Sequence, residues 1–317
     1  MNVREIAQMC QCSPATVSRV LNNPEKVSPA TREKVLTAMK EHGYKPQPKL
    51  GKPTNLFGFL VPDVHNPFFS QLLDIIEKEA HLHGRSIIFF NSRHDRYLER
   101  LYLAECARHK VDGVFLVPLT SKQSQVDYIK NLPFPVVTLT ETISGLSGVA
   151  VDHFEGGKQA AIHLLNQGGK QLGYVGTTIN NTKYEGFLSA IASKGREYNC
   201  SNTLDITTGD STTFIEERLL SENPIDSIFC MNDLTVKKLI DQIVSIEPLI
   251  LRKTNFIGFD DSTYSKLLKF SSVSQPITTI AHKSFQVMLT LISASRSKSS
   301  HTSNHYFYQP EVIGREL

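Results

Sequence analysis

Residues 13–23 read SPATVSRVLNN, and this stretch decides the fold of the first part of the chain. Ser13 is a favoured N-cap, because its hydroxyl can accept a hydrogen bond from a backbone N–H left unpaired at a helix start, and Pro14 suits the first helical position. Val17, Val20 and the leucine after it are spaced three and four residues apart, so they form one apolar stripe. The sequence therefore predicts a short helix whose remaining face is polar and basic.

Two similar helices are predicted on either side of this stretch. Val3–Cys10 is short and amphipathic, and Ser28 with Pro29 repeats the Ser-Pro start and opens a helix that runs through Met39. Three short helices within about fifty residues are typical of a helix-turn-helix, whose second helix enters the major groove of DNA.

The positive charge of the chain is concentrated at its start. Residues 1–50 hold eight Lys/Arg against four acids, whereas the remaining residues hold 26 against 27. An excess of positive charge in the segment predicted to meet DNA phosphates is expected for a nucleic-acid-binding domain. With 317 residues in all, the chain exceeds the usual size of a single core, so we expect more than one domain.

Composition and cysteine usage indicate a cytoplasmic protein. The chain has no apolar run of membrane-spanning length and no apolar signal-peptide core, so we expect no membrane association. Its five cysteines are odd in number and mostly scattered, which favours reduced thiols. Cys10 and Cys12 form a C-x-C pair without a Cys/His cluster that would complete a zinc site, and we expect neither a metal nor a cofactor.

A different pattern follows the helical segment. Three prolines and a glycine between Lys45 and Pro53 argue against a stable helix and indicate a linker. Short apolar runs then alternate with amphipathic stretches over 56–151 and again over 154–258, which predicts two α/β lobes with parallel strands and right-handed crossovers. Ser293–Asn304 is Ser-rich and is predicted as a surface loop before one final strand, His305–Ile313.

Catalytic motifs are missing from this sequence. It has no G-x-x-x-x-G-K-[ST], no H-E-x-x-H and no G-x-S-x-G, so an enzyme is the least favoured class. Gly156-Gly157 and Gly168-Gly169 are better explained as turns and helix caps than as phosphate-binding loops.

Polar residues follow several of the predicted strands. Asp260-Asp261 come after Asn255–Gly258, and Asn232-Asp233 come after Ser227–Cys230. Ligands of open parallel sheets bind outside the carboxyl ends of the strands. An acid at such a position can accept hydrogen bonds from sugar hydroxyls, or it can cap the next helix. Two adjacent phenylalanines after the first strand can likewise stack on a ligand ring or belong to the core.

In combination, these segments resemble the lactose/galactose repressor family of bacterial transcription regulators over nearly the whole chain. In the first part, the resemblance extends from Ile6-Ala7 through the 13–22 stretch to Gly43-Tyr44-Lys45-Pro46. Further motifs follow in the family's order: Pro62-Asp63, Asn66-Pro67-Phe68-Phe69, Val111-Asp112-Gly113, Asn232-Asp233, Ile257-Gly258-Phe259-Asp260-Asp261 and Gln275-Pro276.

The resemblance implies a DNA-binding transcriptional repressor with three parts. An all-α helix-turn-helix headpiece (1–44) and a hinge linker (45–55) precede an effector-binding core (56–317) of two Rossmann-like α/β lobes, of the periplasmic-binding-protein-like type. We expect the first lobe over about 56–151 plus 277–297 and the second over about 152–276 plus 298–317. A homodimer would read two half-sites of double-stranded operator DNA.

By position, the resemblance also implies roles for headpiece residues. The base-reading residues would be Pro14, Ala15, Ser18 and Arg19, and the phosphate-contacting residues would be Asn2, Ser13, Thr16, Asn22, Lys26, Ser28 and Thr31. Arg19 can offer a bidentate fork to guanine. The linker is shorter than is usual in the family, and Leu50 is its candidate minor-groove wedge, so we expect weaker DNA bending or a hinge that orders differently.

The same resemblance implies an effector pocket between the lobes, for a sugar or sugar phosphate. Lys183 stands where the family usually has an arginine in an R-x-x-G-F motif; lysine keeps the charge but lacks the planar fork. A nucleobase effector, or a degenerate pocket with control by a protein partner, remain alternatives. The expected effector-binding residues are Asn66, Phe68, Phe69, Lys183, Asn232, Asp233, Asp260 and Gln275.

Overall fold

The computed structural model describes residues 3–22, 24–42, 53–179, 181–297 and 302–315. The chain forms two compact units, Met1–Lys49 and Leu50–Leu317. Among the residues described, no helix has the length and apolar character needed to span a membrane.

The first unit contains the predicted helices. They are α1 (Val3–Met9), α2 (Pro14–Asn22) and α3 (Pro29–Glu41), with a 3-10 turn, Pro24–Lys26, between the last two. Both Ser-Pro starts act as caps, because Ser13 Oγ accepts from the Thr16 N–H at 3.0 Å and Ser28 Oγ accepts from the Thr31 N–H at 3.4 Å. The helices enclose a small apolar core of Ile6, Ala7, Cys10, Val17, Val20, Val35 and Met39.

The first lobe of the second unit is built on a parallel sheet. Its strands are mostly apolar runs because helices cover the sheet. In the register of the sheet, Phe57 lies opposite Ile87 on one side and Gly113 on the other. The strands are β1 (Leu56–Val61), β2 (Ser86–Asn91), β3 (Gly113–Leu116), β4 (Val136–Thr140) and β5 (Ser147–Val151), and the helices are α4 (Pro67–Leu82), α5 (Arg96–Arg108) and α6 (Gln123–Lys130).

The second lobe repeats this architecture. Its strands are β6 (Leu172–Gly176), β7 (Thr203–Asp205), β8 (Ser227–Cys230), β9 (Asn255–Asp260) and β10 (Ser271–Ser274). Its helices are α7 (His153–Asn166), α8 (Thr182–Ser193), α9 (Ser211–Phe214, continued by a π turn over Ile215–Leu219), α10 (Asp233–Ile246) and α11 (Thr263–Leu268).

The C-terminal region connects the two lobes again. Helix α12 (Ile277–Ser297) packs in the first lobe, and two short strands follow, β11 (His305–Tyr308) and β12 (Glu311–Ile313). Over the described residues, the strand orders are β11-β5-β4-β3-β1-β2 in the first lobe and β12-β10-β9-β8-β6-β7 in the second. Every pairing is parallel except that of β12 with β10.

Two expectations for this region are wrong. His305–Ile313 is not one strand of the second lobe, because β11 pairs with β5 in the first lobe and only β12 joins the second. Pro310 separates them, since proline cannot donate a hydrogen bond to a sheet. Ser293–Asn304 is not a loop throughout, because α12 continues to Ser297.

Helices α7 and α8 approach each other through glycines. A Cβ added to Gly157 would overlap the backbone carbonyl of Lys183, and one added to Gly186 would overlap that of Phe154. The expectation that Gly156-Gly157 forms a turn or cap is therefore wrong, since both glycines lie inside α7. Gly168, with φ of +88°, does occupy the turn after this helix. The close packing fixes the first turns of α7 and α8 against each other.

Gly157→Ala is expected to destabilise the protein, although alanine is the better helix former by roughly 1 kcal/mol. The added methyl must push α8 away, and overpacking of this kind costs about 1–3 kcal/mol. Urea unfolding measures the change, with Gly314→Ala as a control, because an added Cβ there meets only His163 at 3.4 Å. A Gly157→Ala protein as stable as the parent would contradict the backbone contact.

Candidate functional site

The predicted base-reading residues lie on helix α2. Pro14, Ala15 and Arg19 are exposed and Ser18 is half-buried, whereas Val17 on the opposite face is fully buried. The helix therefore presents a polar surface with one guanidinium on it. That is the geometry a recognition helix needs in a major groove.

The predicted phosphate-contacting residues surround this helix. Ser13, Lys26 and Ser28 are exposed, and Thr16 and Thr31 are half-buried. Each of the two threonines is bonded to the cap serine three residues before it. Asn2, the side chain of Asn22 and the candidate wedge Leu50 lie outside the described residues.

A cavity of about 300 Å³ lies between the two lobes of the second unit, at the carboxyl ends of strands from both sheets. Seven of the eight predicted effector-binding residues line it, and all seven are polar, charged or aromatic side chains at strand or helix ends. The first lobe contributes Pro62, Asp63, Asn66, Phe68, Phe69, His94, Val117, Pro118, Leu119, Thr140 and Glu141; the second contributes His153, Thr177, Asn181, Thr182, Lys183, Met231, Asn232 and Asp260, and Gln275 lies between the lobes.

Asp260 lines this cavity and links the two lobes. Its carboxylate accepts hydrogen bonds from Asn66 Nδ2 of the first lobe at 3.2 Å and from Gln275 Nε2 at 2.7 Å. The other end of the Asn66 amide accepts from the Phe68 N–H at 3.0 Å and caps α4. Burial raises the pKa of Asp260, against the opposing effects of Lys183 and the two amides.

The backbone that carries Asp260 adopts an unusual conformation. Asp260 has a φ of +111° and Asp261 a φ of +49°, values that non-glycine residues rarely adopt. Three contacts hold this turn: Arg315 donates to the Asp261 carboxylate at 2.6 Å, Ser272 Oγ accepts from the Asp261 N–H at 3.0 Å, and the Ser262 N–H is bonded by a buried carboxylate. Strain maintained by surrounding contacts is frequent at binding sites.

That buried carboxylate is Asp233, which does not line the cavity. It accepts from the Ser262 N–H and from Ser272 Oγ, both at 2.6 Å. Burial and the nearby charge of Asp260 raise the pKa of Asp233 to about 7. Asp233, a predicted effector contact, therefore lies outside the cavity lining and instead supports the turn that carries Asp260.

The remaining predicted contacts differ in how much of each side chain faces the cavity. Phe69 is half-buried at the wall, whereas Phe68 belongs mainly to the core of the first lobe. Asn232 caps α10, because its Oδ1 accepts from the Thr235 N–H at 2.8 Å. Of the two readings for the adjacent phenylalanines, core packing applies to Phe68, while Phe69 remains a candidate contact.

Lys183 lies in the first turn of α8, and its side chain lines the cavity. Its Nζ donates to the Met231 carbonyl at 3.1 Å and lies 3.7 Å from the centre of the Phe259 ring. Burial lowers its pKa, opposed by the charges of Asp260 and Glu141. Asn181 caps the same helix, accepting from the Lys183 N–H at 3.0 Å.

Two further cavity residues, Glu141 and His153, were not identified from the sequence. Their side chains are 3.2 Å apart, from His153 Nδ1 to Glu141 Oε1. Burial raises the pKa of Glu141, but the hydrogen bond and charge of His153 and the charge of Lys183 outweigh it and lower that pKa. Glu141 directly follows β4, so the rule that ligands bind at strand ends could have identified it.

Two family models match the chain. "Bacterial regulatory proteins, lacI family" matches residues 2–47, and "Periplasmic binding proteins and sugar binding domain of LacI family" matches residues 54–308. The chain is 29% identical over 302 residues to the ribose operon repressor of Halalkalibacterium halodurans, covering 92% of this chain and 90% of that protein. It is 29% identical over 301 residues to the sucrose operon repressor of Streptococcus mutans, covering 91% and 92%.

The fold is similar to that of a solved regulator. The structure of the transcriptional regulator CelR in complex with cellobiose superimposes with a TM-score of 0.71 at 21% identity, covering 100% of this chain and 99% of that one. The predicted fold class, a helical headpiece with two α/β lobes, is therefore confirmed.

Arg19→Ala is expected to reduce discrimination between an operator, selected from random duplexes, and a scrambled duplex by about 1–3 kcal/mol. Lys26→Ala is the matched control, since loss of a phosphate contact weakens binding to both duplexes by a similar factor. Fluorescence anisotropy at one fixed salt concentration gives, for each variant, the ratio of its affinity for the operator to its affinity for the scrambled duplex. An unchanged operator preference in Arg19→Ala would show that this side chain does not read a base.

The raised pKa of Asp233 makes stability depend on pH. The folded state holds the proton more tightly than the unfolded state, so the stabilising contribution is complete below the ordinary pKa near 4 and is lost as pH rises through about 7. The free energy of unfolding of the parent minus that of Asp233→Asn should therefore fall as pH rises from about 4 to 7. Urea unfolding at several pH values gives this difference, and parallel curves for the two proteins would refute the assignment.

Proposed function

The chain belongs to the LacI family of bacterial regulatory proteins, and from that premise we propose that it is a DNA-binding transcriptional repressor controlled by a small carbohydrate. The headpiece binds operator DNA, and the carbohydrate binds in the cavity between the lobes of the core. The relatives it matches are transcription regulators, and we assign the cavity to binding rather than to catalysis.

The interlobe position of Asp260 is the observation that carries this proposal. A ligand that displaces or joins the Asn66 and Gln275 amides on this carboxylate contacts both lobes at once. Its affinity then depends on how the lobes are arranged, and by reciprocity the ligand changes that arrangement. Carboxylates and amides at such a site suit sugar hydroxyls, and two matched relatives are named for the ribose and sucrose operons.

We assign DNA reading, the hinge and effector sensing to the three segments that the sequence predicts. Residues 1–44 form the DNA-reading headpiece, residues 45–55 the hinge, and residues 56–317 the sensor. Pro14, Ala15, Ser18 and Arg19 read bases, and the predicted phosphate contacts fix the position of the headpiece on the duplex. The protein works in the cytoplasm, where operator DNA is accessible.

A homodimer fits the exposed apolar side chains of the first lobe. Leu82, Phe89, Tyr97 and Leu101 are exposed between the end of α4 and the middle of α5, and burial of such side chains stabilises an assembly. A two-fold dimer presents two α2 helices to the half-sites of a palindromic operator.

A thermal-shift screen of the full-length protein with D-ribose, D-glucose, sucrose and cellobiose tests the carbohydrate assignment. A ligand at about 100 times its Kd should stabilise the folded state by about 2.7 kcal/mol. The sugar that raises Tm should also change the affinity of the protein for its selected operator. Asp260→Asn should lose the Tm shift, whereas Asp241→Asn, which changes a surface acid paired with Lys237, should keep it.

The possible failures of this test are distinct. A Tm shift with nucleobases and with none of the four sugars would overturn the carbohydrate assignment while leaving the regulator intact. Absence of operator selection from random duplexes would overturn the repressor itself.

A further inference from the structure

We propose that the cavity accepts an uncharged, hydroxyl-rich sugar and rejects its phosphate esters, an inference that rests on the carbohydrate control proposed above.

Carboxylates outnumber cations around the cavity. Asp63, Glu141 and Asp260 line it, and among its described lining residues Lys183 is the one side chain with a permanent positive charge. Glu141 is paired with a histidine, while the Asp260 carboxylate is bonded to two neutral amides. A phosphate group would bring additional negative charge against these acids in a partly dehydrated space, where repulsion is weakly screened.

The single ammonium is already engaged. Two of the three N–H directions of Lys183 are used by the Met231 carbonyl and the Phe259 ring. Unlike the planar guanidinium of arginine, the lysine ammonium does not donate two parallel hydrogen bonds to two oxygens of one phosphate. Burial also lowers the pKa of this amine, which weakens it further as an anion partner.

Two buried polar atoms in the cavity lining lack a hydrogen-bond partner among the described residues. Gln275 must point its NH₂ at Asp260, because a carboxylate only accepts, and this leaves Gln275 Oε1 without a partner. His153 Nδ1 is bonded to Glu141, and its Nε2 also lacks a partner. Both side chains are at least nine-tenths buried, with exposures of 5% and 9%.

The Gln275 oxygen requires a ligand group that donates. A hydroxyl can donate to Gln275 Oε1, can pair with His153 Nε2 as donor or acceptor, and can accept from Lys183, whereas the phosphate group of an ester, as a dianion, only accepts. Leaving buried acceptors unpaired is costly. The hydrogen-bonding pattern and the charge of the cavity therefore select the same ligand class.

Helix N-termini could instead have supplied an anion site, since four helices begin near the cavity. In each of these helices the cap side chain already accepts one or two of the first N–H groups. The helices are α4, α7, α8 and α10, and the caps are Asn66, Asp152, Asn181 and Asn232. A phosphate would have to displace these cap side chains in order to bind those N–H groups.

Four matched pairs test this selectivity on the full-length protein by isothermal titration calorimetry. Each of D-ribose, D-glucose, sucrose and cellobiose is compared with its own terminal phosphate ester. For any pair that binds, the free sugar should bind roughly tenfold or more tightly than the ester. An ester that binds as tightly as its parent sugar overturns the inference. Binding by no member of any pair overturns the carbohydrate control itself, and with it this inference.

A variant separates electrostatic rejection from simple lack of space. Glu141→Gln removes one cavity carboxylate without changing its size, and it should narrow the sugar-to-ester affinity ratio by roughly fivefold. Asp241→Asn, which removes a surface carboxylate on α10, should leave the ratio unchanged. An unchanged ratio in Glu141→Gln, in protein whose circular dichroism and Tm match the parent, would overturn the electrostatic explanation.

Discussion

The hydrogen bonds of Asp260 to Asn66 and Gln275 are the contact on which the core depends, because they place one buried carboxylate between two lobes. Burying an acid is unfavourable unless its oxygens are bonded. Arg315, Ser272 and Asp233 hold the adjacent backbone in a conformation that a non-glycine residue rarely adopts. Several buried polar groups of the second lobe thus serve to orient the Asp260 side chain.

The helices that border the cavity are positioned by packing rather than by the site itself. The glycine contact between α7 and α8 fixes the first turn of each helix. His153 and Lys183 lie in these first turns, so the backbone that carries their side chains is held in place by the packing of the two helices. A ligand then meets an arrangement that is already formed, which limits the entropy lost on binding.

Local rules predict the parts of this protein that depend on local interactions. Ser13 and Ser28 could be assigned as caps, and Arg19 placed on an exposed face, because caps and helical spacing need only neighbouring residues. The strand-end rule likewise identified Asp260. That rule could not distinguish Asp260 from Asp233, because both lie at the ends of strands. Only the turn at the end of β9 directs the Asp260 side chain into the cavity. The interior position of Gly157 and the division of His305–Ile313 between two sheets arise from contacts between distant segments, which spacing does not encode.

We propose that binding of sugar in the cavity and binding of operator DNA are coupled. This coupling is measured by the affinity of the identified sugar for free and for operator-bound protein, and by the affinity of operator with and without that sugar. The two affinity ratios should differ from one and equal each other, as linkage requires. Equal sugar affinity for free and operator-bound protein would contradict the coupling.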